Sequence, residues 1–217
     1  MIRLESVGCR IGGTWALQGA SLHVRAGELV GLTGPNGGGK SLLLAICATL
    51  VRADAGEVVI ADHDARTRPR RVRGAIGHVP ESVGFYPDMT LRQDLEFFAA
   101  AHGIARAAIP GVVDDVLRRL DLGGLPGLRM EWASRGLLRR MALARALLHR
   151  PPVLLLDDPG SGLDAEARGA LWRELGRHVD GGGCALVASH DTAELARHAH
   201  RVTLLSRGRI ESPSVAA

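Results

Sequence analysis

Apolar and polar positions along this chain change rhythm several times, and each change marks an element. Short runs at residues 2–7 and 20–25 read as strands on either side of a Gly12-Gly13 turn. Glu28-Leu-Val-Gly-Leu-Thr33 is apolar and short enough for a buried strand, and Leu42 to Leu50 reads as a helix carried to about Asp54-Ala-Gly56. Glu57 to Ala61 is a strand by its β-branched content, and Ala75 to Val79 is another, closed by Pro80. From about residue 85 to 150 the spacing turns helical over Leu91 to His102, Pro110 to Leu122 and Ser134 to His149. Gly103 and Gly123-Gly-Leu-Pro-Gly127 separate these segments. Pro151-Pro152 breaks the last one, and Val153-Leu-Leu-Leu-Asp157 is a continuous apolar run of the kind a parallel sheet covered on both faces requires. Helix over Ala165 to His178, strand over Cys184 to Ser189, helix over Thr192 to His200 and strand over Val202 to Leu205 complete the series. Strands alternating with helices predict a doubly wound α/β core, here with a helical insertion.

Between the strand 28–33 and the helix after it lies Gly34-Pro35-Asn36-Gly37-Gly38-Gly39-Lys40-Ser41, which fits G-x-x-x-x-G-K-[ST] at every fixed position. The setting is the one the motif needs. Glycines let backbone N–H groups turn inward around phosphate oxygens, and the next helix adds its unpaired N–H groups and positive dipole end. Lys40 would reach the terminal phosphates, and the Ser41 hydroxyl would bind Mg²⁺. Lys40 is also the only lysine in the chain, every other cationic side chain of this kind being arginine. A compact point charge is what that position requires and a planar guanidinium does not supply. Asp157 ends its apolar strand at the carboxyl edge of the predicted sheet, where it can hold Mg²⁺, and Asp158 follows, placed to orient an attacking water.

Bulk properties narrow the field. A chain of 217 residues, 46% hydrophobic, can bury a sizeable core, and 3% aromatic content argues against a stacking platform for single-stranded nucleic acid. The formal charge of +4 permits an anionic partner without demanding one. The densest basic run, Arg66 to Arg73, holds five arginines and reads as a solvated loop. Cys9, Cys47 and Cys184 lack metal or redox spacing and read as reduced thiols. The longest apolar stretch, Leu42 to Val51, is too short to span a bilayer, so a membrane role would come through a partner. His198 and His200, two apart on a predicted helix, share no face and are assigned no metal.

With these motifs in place the chain resembles the ATP-binding subunit of an ABC transporter over almost its whole length. Ser161-Gly-Leu-Asp164 is similar to the family's D-loop, Ser189-His190-Asp191 to its switch histidine, and Met141-Ala-Leu-Ala-Arg-Ala-Leu147 to the helix after its signature. Ile76-Gly-His-Val-Pro-Glu81, Tyr86-Pro-Asp-Met-Thr90 and Leu95-Glu-Phe-Phe98 resemble the branch that exports drugs, antibiotics or polysaccharides. The resemblance implies one domain over 1–217. Residues 1–84 and 151–217 would be a P-loop NTPase core with a mainly parallel sheet and an N-terminal antiparallel β subdomain, and 85–150 a helical subdomain. It implies ATP and Mg²⁺ as ligands, and a head-to-tail dimer in which each ATP is clamped between one chain's phosphate loop and the other's signature. A separate polytopic permease would be the membrane partner, touched by residues around 82–100, at the cytoplasmic face of the cell membrane. Nucleic acid is not an expected partner.

Residue by residue, the resemblance assigns Gly34 to Leu42 to the nucleotide, Ser41, Asp157 and Glu81 to the metal, and Lys40, Asp158 and His190 to catalysis. Ser134 and Gly136 are its signature contacts to a partner's ATP. Ser134 could cap the helix that follows it, and Arg135, Arg139 and Arg140 crowd that end, where a phosphate would relieve the conflict with the dipole or the side chains would reach into solvent. Four positions depart from the family. Asp158 stands for the catalytic glutamate, and the signature Leu-Ser-Gly-Gly-Gln reads Ala133-Ser134-Arg135-Gly136-Leu137. Ile11 falls where an aromatic residue stacks on adenine, leaving aliphatic packing or nearby Trp15, and Glu81 replaces the Q-loop glutamine. Three readings follow: a slow ATPase driving export, a regulatory subunit paired with a more competent partner, and a soluble ABC-type ATPase outside transport.

Overall fold

A computed structural model describes residues 1–211 of the chain. Two sheets organise it. In the first, β1 (Ile2–Ile11), β2 (Thr14–Val24), β4 (Ala55–Ile60) and β5 (His63–Asp64) pair antiparallel in the order β2-β1-β4-β5. β1 and β2 run right up to the Gly12-Gly13 turn, where both glycines have positive φ, as a tight hairpin turn with the twist of its strands requires. They exceed the predicted 2–7 and 20–25 because register shifts at Leu4/Val7, Val7/Cys9 and Cys9/Arg10 scramble the alternation that would have announced them.

The second sheet has the order β10-β9-β3-β8-β7-β6, with β3 (Leu29–Thr33), β6 (Ile76–Val79), β7 (Val153–Asp157), β8 (Cys184–Ala188) and β9 (Arg201–Ser206) parallel. The short β10 (Arg209–Glu211) closes its edge antiparallel to β9. Helices α1 (Lys40–Cys47), α2 (Pro69–Ala75), α3 (Leu91–Ala101), α4 (Ile109–Arg119), α5 (Arg135–Leu147), α6 (Ala165–Asp180) and α7 (Thr192–His198) complete it, with a 3₁₀ turn at Met130–Trp132. Residues 85–150 carry α3, α4, the 3₁₀ turn and α5.

The pleat of the parallel strands sorts the interior into two cores. Val153 and Leu155 of β7, with Cys184, Leu186 and Ala188 of β8, pack against α1 and the antiparallel sheet. Leu154, Leu156, Ala185 and Val187 point the other way, into a core shared with α3 to α6. Every residue of β7 and β8 is therefore buried, and the period-2 signal vanishes into a continuous apolar run.

Two sequence expectations change. The helix after the phosphate-loop motif ends at Cys47, not near Gly56, because Thr49 takes a positive φ and turns the chain. The basic run is not a loop throughout: Pro69 opens α2 at its first turn and Val72 pins it to the core, leaving the arginines outside. A single buried valine among arginines gives too weak an amphipathic signal to be read from sequence.

Candidate nucleotide-binding site

The carboxyl ends of β3, β8 and β7 lie side by side, so three loops far apart in sequence meet at one edge of the sheet. After β3, residues 34–39 fold back over the end of α1. Gly34 has φ +148, and a Cβ there would sit 2.0 Å from the Leu205 carbonyl oxygen of β9, so no other residue fits. Gly39 precedes α1 in the left-handed region, offers no side-chain cap, and α1 has no acidic residue in its first turn. The first N–H groups of α1 thus lack both a side-chain cap and a carboxylate neighbour. Lys40 Nζ folds back to donate to the carbonyls of Gly34 at 2.7 Å and Pro35 at 3.1 Å.

After β7, Asp157 is buried to 7% exposure, and Asp158 takes a φ of +46. The Asp158 N–H donates to the Ala188 carbonyl at 2.8 Å, which ties this turn to the end of β8. There Ser189 Oγ donates to Asp158 Oδ1 at 3.1 Å and accepts from the Asp191 N–H at 3.1 Å. His190 Nδ1 lies 3.3 Å from the same Asp158 oxygen while its ring is largely exposed. Ser189 was singled out in sequence only as part of the histidine motif; its position directly before His190 is the one signal that could have identified it as the anchor of Asp158.

The electrostatics of this edge invite a cation. Burial holds the Asp157 carboxyl above its ordinary range; the Ser41 hydroxyl pulls the other way, and Glu81, Asp158 and Lys40 contribute less, the two acids raising it and the lysine lowering it. Asp157 and the Ser41 hydroxyl thus meet in a cleft that Glu81 and Asp158 also line, beside an ammonium group held by backbone carbonyls. Oxygen donors in excess negative charge suit Mg²⁺, and an ammonium beside uncapped helix N–H groups suits phosphate. The residues fit both groups.

Together these loops line a cleft of about 510 Å³. Of the residues assigned to nucleotide, metal or catalysis from sequence, Ile11, Asn36, Gly37, Gly38, Gly39, Lys40, Ser41, Leu42, Glu81, Asp157, Asp158 and His190 line it, joined by Ala16 and Ser189. Gly34 and Pro35, also assigned to nucleotide, are not among the lining residues; their carbonyls accept from Lys40. Trp15 is not among the lining residues: it pairs across the hairpin with Arg10, whose guanidinium lies 4.2 Å from its ring centroid. Of the two adenine candidates, only Ile11 reaches the cleft.

Ser134 and Gly136 also lie outside this cleft's lining. Ser134 caps α5, its Oγ accepting from the Leu137 N–H at 3.2 Å, as its place before the helical run suggested. Arg139 and Arg140 end neither in solvent nor on an anion. Arg139 donates to the Pro80 carbonyl at 3.0 Å, one residue before Glu81, and Arg140 to the Asp121 carbonyl at 3.4 Å. Only Arg135 of the three stands exposed. Carbonyl acceptors brought by a distant loop leave no trace in the local sequence. His198 stacks on Trp172 and His200 accepts from the Leu29 N–H, so both are engaged in packing.

Comparison with known proteins agrees with this geometry. The chain is 35% identical over 193 residues to Nod factor export ATP-binding protein I of Burkholderia thailandensis, a match covering 89% of this chain and 64% of that protein. It is 32% identical over 209 residues to a daunorubicin resistance ATP-binding protein of Streptomyces coeruleorubidus, covering 96% and 66%. The chain thus spans just under two thirds of these relatives' length. A dimeric post-hydrolysis state of an ATP-binding cassette bound to ADP and Pi is similar at a TM-score of 0.88 and 25% identity, over 98% of this chain and 97% of that one. An ATP-binding subunit of an ABC transporter shares the fold at a TM-score of 0.91 and 24% identity, over 98% and 88%. The α/β architecture is therefore that of ABC ATPase cassettes, a P-loop NTPase core with an antiparallel N-terminal sheet. Residues 17–161 match the family model described as ABC transporter, and the chain belongs to the ABC transporter family.

Proposed function

We propose that this chain is the ATP-binding and ATP-hydrolysing subunit of an exporter, working as a dimer beneath a separate membrane-embedded permease. One observation carries the reading: Lys40, Ser41, Glu81, Asp157, Asp158 and His190, drawn from four loops, line a single cleft at the carboxyl edge of the sheet. The relatives named for Nod factor export and daunorubicin resistance support export and ATP binding, and the dimeric cassette bound to ADP and Pi supports pairing around nucleotide.

In this reading residues 34–42 cradle the phosphates with backbone N–H groups, and Lys40 exchanges its two carbonyl acceptors for phosphate oxygens. Ser41 and Asp157, with Glu81 beside them, hold Mg²⁺, which supplies charge neutralisation on the phosphates when bound. Asp158 orients the attacking water and accepts its proton. Ser189 fixes the carboxylate for that task, and His190, on the same oxygen, faces the terminal phosphate. Ile11 packs on the base. A partner's Ser134 and Gly136 complete the clamp, and the partner is a second ATP-binding subunit, of this or a related chain. Residues 1–84 and 151–211 serve as the nucleotide-binding core and 85–150 as the helical subdomain; residues 212–217 of that assignment lie outside the described residues. No helix among the described residues is long and apolar enough to cross a membrane. In this reading the permease holds the chain at the cytoplasmic face of the cell membrane.

The test is steady-state ATPase activity with Mg²⁺ of the purified chain beside Lys40→Ala and Asp158→Asn. Loss of phosphate binding in the first and a drop of about 10²-fold or more in turnover in the second are expected. Turnover that survives both substitutions would sink the assignment. Co-purification of a polytopic membrane protein with the tagged chain tests the partner.

A further inference from the structure

Outside the nucleotide cleft the molecule has a second recess, of about 450 Å³, between the end of α1, β4 and α2. Its polar lining is dominated by Arg52, Arg66 and Arg73, with the hydroxyl of Thr49 held by Arg73 Nη1 at 3.0 Å. All three arginines are exposed, and among the described residues none has a carboxylate within 4.0 Å. Two acids also line the recess. Asp64 is committed locally, accepting from the Thr67 N–H at 2.7 Å and the Thr67 hydroxyl at 2.9 Å, and Glu57 is exposed on β4. Arg68, Arg70 and Arg71 add charge on the adjoining surface of α2 and the turn before it, where residues 66–73 contain no acid at all.

We propose that this recess binds a phosphate group, presented by a lipid headgroup or by a soluble phosphorylated compound. Three guanidinium groups and a hydroxyl around one hollow match the three or more oxygens of a phosphate better than the two of a carboxylate, and each guanidinium can engage them in pairs. The rim suits a lipid source as well. Val51 lines the recess at 37% exposure and its neighbour Leu50 is 65% exposed. Apolar side chains beside arginines without a carboxylate partner are the pattern of a surface that rests on an anionic bilayer. The site is separate from the nucleotide cleft and stands or falls without it.

Vesicle sedimentation and calorimetry on the full chain carrying Lys40→Ala, so that the phosphate loop does not take the probe, test this; ADP binding is measured on the same samples to show that the loop stays empty. The probes are phosphatidylcholine vesicles with and without about 30 mol % phosphatidylglycerol, and inorganic pyrophosphate. The variants are Arg52→Gln, Arg66→Gln and Arg73→Gln, singly and combined, against Arg106→Gln as an exposed arginine elsewhere. Each of the three should weaken binding about fivefold, about 1 kcal/mol, and Arg106→Gln much less. All four are surface substitutions, so thermal midpoints should stay close to wild type. Binding to anionic vesicles alone assigns a lipid headgroup, and pyrophosphate binding assigns a soluble phosphate compound. Absence of both, an equal loss with Arg106→Gln, or binding of a polyglutamate peptide in their place overturns the proposal.

Discussion

Arg145 holds three parts of the molecule together, and Arg145→Met should expose how much depends on it. Its Nε donates to Asp94 Oδ2 at 2.6 Å and its Nη2 reaches Asp94 Oδ1, so α5 grips α3 through a two-pronged pair in which Asp94 is fully buried. Its Nη1 donates to the Gly84 carbonyl at 2.8 Å, and its guanidinium lies between the rings of Phe85 and Phe98, 4.0 and 4.2 Å from their centroids. Methionine keeps much of the packing volume and removes every one of these polar contacts. Asp94 is then a buried carboxylate without a partner, which costs about 3–5 kcal/mol. For a domain of this size about 2–4 °C is lost per kcal/mol, so the thermal midpoint should fall by roughly 6–20 °C. Arg145→Met/Asp94→Leu removes the stranded charge and should recover most of the loss, because a buried ion pair and an apolar pair of similar volume are close in stability. Urea unfolding of the wild type, the two single variants and the double closes the cycle. A single-variant loss below about 1 kcal/mol, or a double no better than Arg145→Met, would refute the reasoning. The double should still bind nucleotide poorly if the anchor on Gly84 matters to Glu81, three residues before it.

Four further outcomes follow, three from the site and one from a histidine elsewhere in the fold. Asp157→Asn should raise the thermal midpoint of the ligand-free chain near neutral pH while abolishing its further rise with MgATP. The sign comes from a folded carboxyl held above its unfolded value: stability is highest below the unfolded carboxylate range and falls as pH climbs through it to the raised folded value, a loss the amide avoids. Asp158→Glu restores the missing methylene and should raise turnover by up to about 10²-fold, whereas Ser189→Ala should lower turnover with little change in nucleotide affinity, read as kcat against KM. Burial lowers His149 to about 4, and its Nδ1 has no hydrogen-bond partner, so the chain should lose on the order of 1–3 kcal/mol as pH falls from 6.5 through that value. His149→Gln, which can keep a bond to the Ile76 carbonyl now made by Nε2, should flatten that slope in acid titration followed by circular dichroism.

The sequence carried the site's chemistry because that chemistry depends on backbone. Gly34 and Gly39 are demanded by φ values and by contact with β9 and β2, and Lys40-Ser41 must follow them without a gap. β7 and β8 are equally plain, since strands buried on both faces leave a short run of aliphatic residues, here bounded by Pro151-Pro152 and by Gly181-Gly182-Gly183. What stayed hidden is what long side chains do across the fold. Arg139 on the Pro80 carbonyl, Arg145 of α5 on Asp94 of α3 and Trp15 against Arg10 across a bulged hairpin depend on which elements come together and in what register, and periodicity holds no record of that. The bulged hairpin and the one-valine helix α2 were lost for a related reason. A register shift or a single buried residue erases the repeat from which elements are read.

The ligand-free site is built against its own stability, and this gives nucleotide binding its leverage. Asp157 is buried beside Glu81 and Asp158, Asp158 is held at a positive φ, and Lys40 is turned back on two carbonyls. In the proposed function, a magnesium ion with a phosphate would relieve the first conflict and give Lys40 a stronger partner than a carbonyl. The same exchange acts on neighbouring elements. Glu81 follows β6, and Pro80 and Gly84 on either side of it are held by Arg139 and Arg145 of α5. In the proposed function, a displacement of Glu81 toward a bound metal would pull on a helix whose N-terminal cap is Ser134. Under the proposed function, these two arginine-to-carbonyl bonds would link the loop of Glu81 to α5, and substituting either should separate nucleotide binding from dimer closure.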